Sequence, residues 1–303
     1  MKVLVVGLGT QGKKRINLLG DRFLASVDPT AEGANYQDIT EVNVDSFNAV
    51  FLCVPDEQKI KLIEFCIKHK KHILVEKPLF SKDVSEITEI QNKANLAEIF
   101  LYTAYNHRFE PHFENMKEII DSNELGTIYS VRMFYGNGTS KLVQSSEWRD
   151  QGTGVISDLS PHLLDTLAFW LGIEKLDKLF IRYQNFETKA PDHAVILASY
   201  NKIELQLVVS LCMWRNTFQC DIIGEMGSAH ITSLCKWGPS VLTLRKRILP
   251  SGKPVEILNE LVLQDPTWEL EHAYFFQQIE NKSQTNLSRD IWIAKTLIEM
   301  EKQ

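Results

Sequence analysis

The sequence lacks any long hydrophobic run. No stretch reaches the roughly 18 apolar residues that a membrane-spanning helix needs. Its longest apolar tract, 205–214, is broken by Gln206 and Ser210 and reads as one long strand buried on both faces. It also lacks a leader pattern, because Met1-Lys2 runs straight into a β-branched segment. Cysteine is scarce. Cys53, Cys66, Cys212, Cys220 and Cys235 form no Cys-x-x-Cys pair and no metal-ligand spacing. That pattern leads us to expect reduced thiols, a cytoplasmic location and no bound metal. There is no basic excess: 33 Lys and Arg stand against 39 Asp and Glu, for a net charge of −6. Such a balance excludes the usual electrostatic footprint of a nucleic-acid binder. No internal repeat and no low-complexity segment occurs. What is present is ordinary globular material, 44% hydrophobic and 24% charged, and 303 residues suffice for about two domains.

The first hundred residues alternate short apolar runs with amphipathic stretches. Strands are expected at 3–6, 22–27, 49–54, 72–75 and 99–103, with helices at 10–19, 56–69 and 81–94. This alternation predicts an α/β domain with a parallel sheet and helices on both faces. The pattern changes after a helix at 111–121. A strand at 127–135, a glycine-rich loop and a helix at 162–171 follow. Then come seven strands between 179 and 261, and two closing helices at 268–281 and 288–301. Sequential strands predict a large, mostly antiparallel open sheet in an α+β domain. The division is placed near residue 120, giving domains 1–120 and 121–303.

Gly7-Leu8-Gly9-Thr10-Gln11-Gly12 is a G-x-G-x-x-G that follows the first strand and opens the first helix. That context gives the motif its mechanism: a tight turn, close approach of the backbone to a pyrophosphate, and free N–H groups at a helix N-terminus. Asp28 ends the second strand, where a carboxylate accepts bonds from the adenosine ribose and repels a 2′-phosphate. NAD is therefore favoured over NADP, although Asp28 also reads as a turn residue before Pro29. Val54-Pro55 and Glu76-Lys77-Pro78 end two further strands at the carboxyl edge of the sheet, the edge at which such folds bind ligands.

A third segment, 152–165, runs Gly-Thr-Gly and then places Asp158, His162 and Asp165 at Asp-x-x-x-His-x-x-Asp spacing. Together with the glycine loop, the Glu-Lys-Pro turn, Asn106-His107-Arg108-Phe109 and Trp148-Arg149, it makes the chain resemble the Gfo/Idh/MocA oxidoreductases along essentially its whole length. The resemblance implies a Rossmann nucleotide-binding domain followed by a substrate domain. It further implies hydride transfer between a nicotinamide and a secondary alcohol or ketone of a sugar, inositol or nucleotide sugar, with surface carbohydrate biosynthesis as one setting for it. Lys77, Asp158 and His162 would be catalytic and would meet across a cleft. Gly7, Gly9, Thr10, Gln11, Gly12, Asp28, Val54, Pro55, Glu76 and Lys77 would hold the cofactor. Asn106, Arg108, Trp148 and Asp165 would join the catalytic group around the substrate.

Chemistry supports the catalytic set. Oxidising an alcohol removes a proton as hydride leaves, and histidine titrates nearest neutrality, while a lysine stabilises developing alkoxide. The base is left open between Lys77 and His162. Two departures stand out. The family's Thr-Pro-Asn with a following His is Val54-Pro55-Asp56 with Lys59, and one of three usual glycines is Thr153. His107, His112, His193, His230 and His272 read as structural or surface histidines, and Arg108 suits an anionic substrate group or an ion pair with Glu110 or Glu114. Trp214, Phe218 and Trp237 read as sheet-face packing or a subunit interface, ahead of ligand stacking. The large sheet, with one face left over, predicts a homodimer or homotetramer. The reading from another class is a non-catalytic dinucleotide-binding regulator.

Overall fold

The computed structural model describes residues 1–146 and 149–303. Its contacts divide the chain into two compact units, Met1–Asn106 with Trp268–Lys295, and His107–Thr267 with Thr296–Gln303.

In the first unit five strands, β1 (Val3–Val6), β2 (Phe23–Val27), β3 (Ala49–Leu52), β4 (His72–Glu76) and β5 (Leu101–Ala104), form one sheet in the order β2-β1-β3-β4-β5. Every pairing is parallel. The strands are Val-, Ile- and Leu-rich and buried on both faces, as a sheet sandwiched by helices requires. Helices α1 (Thr10–Leu19), α2 (Asp56–Lys68) and α3 (Val84–Leu96) match the expected periodicity. On one face Leu4, Val50, Leu52, Ile73 and Val75 pack with Ile63 and Cys66 of α2 and Ile87 and Ile90 of α3. On the other face Val3, Val5, Phe51 and Leu74 meet Leu19 of α1.

One helix cannot cover that second face. Phe275, Phe276 and Ile279 of α7 (Thr267–Glu280) complete it, with Phe51 edge-on to Phe275 at 5.5 Å. The chain therefore returns to its first unit near its end. The expected boundary near residue 120 moves to 106/107 for a related reason. Helix α4 (Pro111–Asp121) packs inside the second unit: Phe113 lies 5.0 Å from Trp170, whose indole Nε1 donates to the Phe113 carbonyl at 2.9 Å.

The second unit is built on eight strands: β6 (Ile128–Gly136), β7 (Lys178–Gln184), β8 (His193–Tyr200), β9 (Ile203–Ser210), β10 (Thr217–Gly224), β11 (Gly227–Thr232), β12 (Ser240–Lys246) and β13 (Val255–Leu261). Their order is β13-β12-β11-β10-β6-β9-β8-β7, antiparallel except for β6 against β9. A short helix α5 (Ser140–Gln144), absent from the expectation, follows β6, and α8 (Ser288–Glu301) closes the chain. Helix α6 (Val155–Leu171) lies on the face formed by Val131, Met133 and Tyr135 of β6 and Leu205, Leu207 and Val209 of β9.

Two expectations change here. The tract 205–214 is not one strand buried on both faces. β9 ends at Ser210 and alternates, with Glu204 and Gln206 exposed, and Trp214 lies 95% exposed outside the sheet. The helix expected at 162–171 begins a full two turns earlier, at Val155. Gly154 is its N-terminal boundary, with a φ of 51°, and a Cβ there would sit 2.2 Å from the Pro191 carbonyl oxygen. That close approach, which also lets Val155 N–H donate to the same oxygen at 2.8 Å, requires glycine.

Candidate active site

In the first unit the ligand edge is made from backbone. The sheet order reverses between β1 and β3, and the crevice outside their carboxyl ends is where open α/β sheets take ligands. Gly7 follows β1 and packs on the Cys53 carbonyl just past β3. Val54 is half-buried and Pro55 caps α2. Gly12 is locked by packing, since a Cβ there would lie 1.8 Å from the Gly7 carbonyl oxygen. Gly9 is different: a Cβ would meet nothing within 4 Å. The protein's own packing does not demand glycine at residue 9. The open space in front of it suits a pyrophosphate approaching the N-terminus of α1, whose Gly9 boundary has no side-chain cap. Thr10 and Gln11 are exposed in that first turn.

Asp28 sits half-buried at the end of β2. Its Oδ2 accepts from Leu8 N at 2.8 Å, and its Oδ1 from Thr30 N at 3.0 Å and Ala31 N at 2.9 Å. These amide donors hold its carboxyl below the usual carboxylate range although desolvation opposes them. Oδ2 keeps capacity for a further donor, and a fixed negative charge at this point opposes a 2′-phosphate. The residues present thus fit NAD.

Glu76 ends β4, and Lys77 follows it. Arg15, completely buried, donates from Nε to Glu76 Oε1 at 2.9 Å and lies 2.7 Å from Glu271 of α7. Burial pushes the Glu271 carboxyl up to about 7 despite Arg15. Asn106, also buried, begins the short turn Asn106–Phe109.

In the second unit the candidates come together on α6. Because the helix starts at Val155, Asp158 lies in its first turn and His162 one turn later, on the same face. Asp158 Oδ2 is 3.4 Å from Arg149 Nη2. His162 is buried against two rings: it stacks on His107 with centroids 4.2 Å apart and meets the Tyr135 ring edge-on at 5.6 Å. Burial, with the Asp158 charge behind it, pushes the Tyr135 phenol well up and keeps it protonated. Tyr135 in turn stacks on Trp237 at 5.9 Å.

His107 and Tyr135 are the residues that sequence reasoning missed. The position of His107 beside Arg108 was the one available signal. Arg108 pairs with neither Glu110 nor Glu114. Its Nε donates to both Asp165 oxygens, at 2.9 and 3.0 Å, and Asp165 is 1% exposed. Asp165 therefore anchors Arg108, and each offsets the charge the other would have offered a substrate. Trp148 lies outside the described residues. Among the described residues no group of three or more His, Cys, Asp or Glu could hold a metal ion, and no helix is long and apolar enough to cross a membrane.

Comparison with known proteins agrees with both units. Residues 1–105 match the oxidoreductase family with an NAD-binding Rossmann fold, and residues 113–230 match the GFO/IDH/MocA C-terminal domain. The myo-inositol 2-dehydrogenase of Thermotoga maritima is 23% identical over 196 residues, 59% of this chain and 57% of that protein. The trans-1,2-dihydrobenzene-1,2-diol dehydrogenase of Mus musculus is 25% identical over 238 residues, 76% of this chain and 69% of that protein. A levoglucosan dehydrogenase solved with NADH superposes with a TM-score of 0.84 at 16% identity, covering 100% of this chain and 97% of that one.

Proposed function

The chain belongs to the Gfo/Idh/MocA family of oxidoreductases and carries its NAD-binding Rossmann fold, and from that premise we propose that it oxidises or forms a secondary alcohol on a cyclic, polyhydroxylated substrate. Bound NAD would supply the hydride acceptor. The observation that carries the reading is the pairing of Asp158 and His162 one turn apart on α6, with the buried His107 and Tyr135 rings around the imidazole.

In the oxidation direction, a ring nitrogen of His162 takes the hydroxyl proton. Asp158 stabilises the imidazolium that forms, and the stacked His107 ring holds the imidazole in one plane. Lys77 would supply an ammonium that stabilises developing alkoxide, the role that the family resemblance implies for it. In the reduction direction the same proton returns from His162. Gly9, Thr10, Gln11 and Asp28 hold the nucleotide.

The names of the two relatives above share a ring-borne alcohol, in inositol and the dihydrobenzene diol. Arg108 is already engaged by Asp165, so a neutral cyclic polyol is favoured over a phosphorylated sugar or a nucleotide sugar. The test is NAD reduction across a panel of cyclic diols, inositols, free sugars, sugar phosphates and nucleotide sugars. Turnover of a neutral cyclic polyol is expected. Tight NADH binding with no turnover across the panel would support the regulator instead.

Self-association through the open face of the eight-stranded sheet belongs to the same reading. On that face Lys178 and Arg182 flank an exposed Phe180 on β7, and Glu256 and Glu260 flank an exposed Leu258 on β13, at opposite edges. A two-fold axis along the strands would lay one triplet over the other. Sedimentation of the purified chain tests this, and a monomer at micromolar concentration would refute it.

A further inference from the structure

Two cations of the first unit lie where burial disfavours them. Lys59 is 2% exposed and Arg15 is 0% exposed. Removing a cation from water is costly unless its new partners compensate. Lys59 carries a second handicap. It is the fourth residue of α2, at the positive end of the helix dipole, where anions and not cations are favoured. Burial and the charge of Lys77 both press its ammonium below the usual lysine range, against the pull of Asp56.

The geometry shows what Lys59 does there. Its Nζ lies 2.6 Å from Asp56 Oδ1 and donates to the Pro78 carbonyl at 2.8 Å. On the other side of Lys77, Arg15 holds the Glu76 carboxylate through Nε at 2.9 Å and Nη2 at 2.8 Å. The residue before Lys77 is gripped through its side chain, from α1. The residue after it is gripped through its backbone oxygen, from α2.

We propose that Lys59, working with Arg15, clamps the Glu76-Lys77-Pro78 turn and is a positioning residue for the reaction, acting through Pro78. This rests on the assignment of Lys77 as catalytic. An anchor required for folding alone would be better served by apolar side chains, because exchanging a buried ion pair for well-packed apolar groups is often neutral or stabilising, and Asp56, 45% exposed, can return to water when Lys59 is replaced. A charged donor kept at such a site is explained by what it orients. Misplacing a reacting group by about 1 Å costs about 100-fold in rate, so slack in this turn is read directly in turnover.

The experiment compares full-length Lys59→Met, Lys59→Gln and Lys77→Met in four measurements: melting temperature, NADH affinity, steady-state kinetics, and amide hydrogen exchange over residues 74–82. For Lys59→Met the clamp predicts a melting temperature at or above that of the unaltered protein and an NADH affinity changed by less than about twofold. It predicts a kcat lowered about 10- to 100-fold, with faster exchange in the turn. Lys59→Gln, which keeps an N–H donor, recovers several-fold of the lost kcat. Unaltered kcat and exchange in Lys59→Met, with Lys77→Met inactive, overturns the clamp and leaves the catalytic lysine standing. Loss of melting temperature and kcat together, with no recovery in Lys59→Gln, makes Lys59 a structural residue and overturns the proposal. Full activity in Lys77→Met overturns the catalytic assignment itself.

Discussion

The two units build their chemistry differently. The first makes its ligand edge from backbone: glycines 7, 9 and 12, strand ends, and the uncapped start of α1. Its side chains serve mainly to fix that backbone, as Asp28 does for Leu8 and Lys59 for Pro78. The second unit makes its candidate site from side chains on one helix, walled by rings from β6 and from the turn before α4. Backbone chemistry depends on local sequence, whereas side-chain chemistry depends on what the fold brings together.

The largest effects should come from breaking the backbone half. Gly12→Ala places a methyl against the Gly7 carbonyl and should cost about 3 kcal/mol or more of stability. Gly9→Ala meets no protein atom, so it should melt like the unaltered protein and yet bind NADH about tenfold more weakly or worse. Paired melting curves and NADH titrations check the contrast. Equal behaviour of the two variants would dissolve it.

A second prediction sharpens the comparison through pH. His272 on α7 is buried beside Phe51, and burial with the nearby Arg15 charge pushes its imidazole down to about 3. The unfolded chain binds a proton near pH 6.5 that the folded chain refuses. Stability from this group is complete above that pH and falls as pH drops toward the folded value, by about 2 kcal/mol between pH 6.5 and 5. His272→Phe keeps an aromatic ring against Phe51 and should remove this loss from denaturation curves, leaving the opposite slope of Glu271, whose raised carboxyl adds stability as pH falls. A slope identical to that of the unaltered protein would remove His272 as the cause.

The smallest effect concerns nucleotide choice. Asp28→Ala should narrow the preference for NADH over NADPH by about tenfold, near 1.4 kcal/mol. Competition titrations measure it, and an unaltered ratio would show that Asp28 is a turn residue only.

The same contrast explains what was legible in the sequence. The glycine loop and the parallel alternation could be read because their causes lie within a few residues. The start of α6 could not. Ser160-Pro161 imitates the beginning of a helix, since proline is at home in a first turn, while the true start is set by the approach of Gly154 to Pro191 across more than thirty residues of chain. The His107–His162 stack and the Arg108–Asp165 pair also join distant positions, and nothing local marks either. The return of α7 to the first unit follows from the uncovered second face of its sheet, a need visible only once the helices have been counted face by face.

The central claim is that the chain is an oxidoreductase in which His162 moves the proton. It is tested most directly by the kcat of His162→Ala on the best substrate of the panel, with NADH affinity measured alongside. The account predicts a fall of about 100-fold or more with NADH affinity preserved. Turnover retained within a few-fold would contradict it.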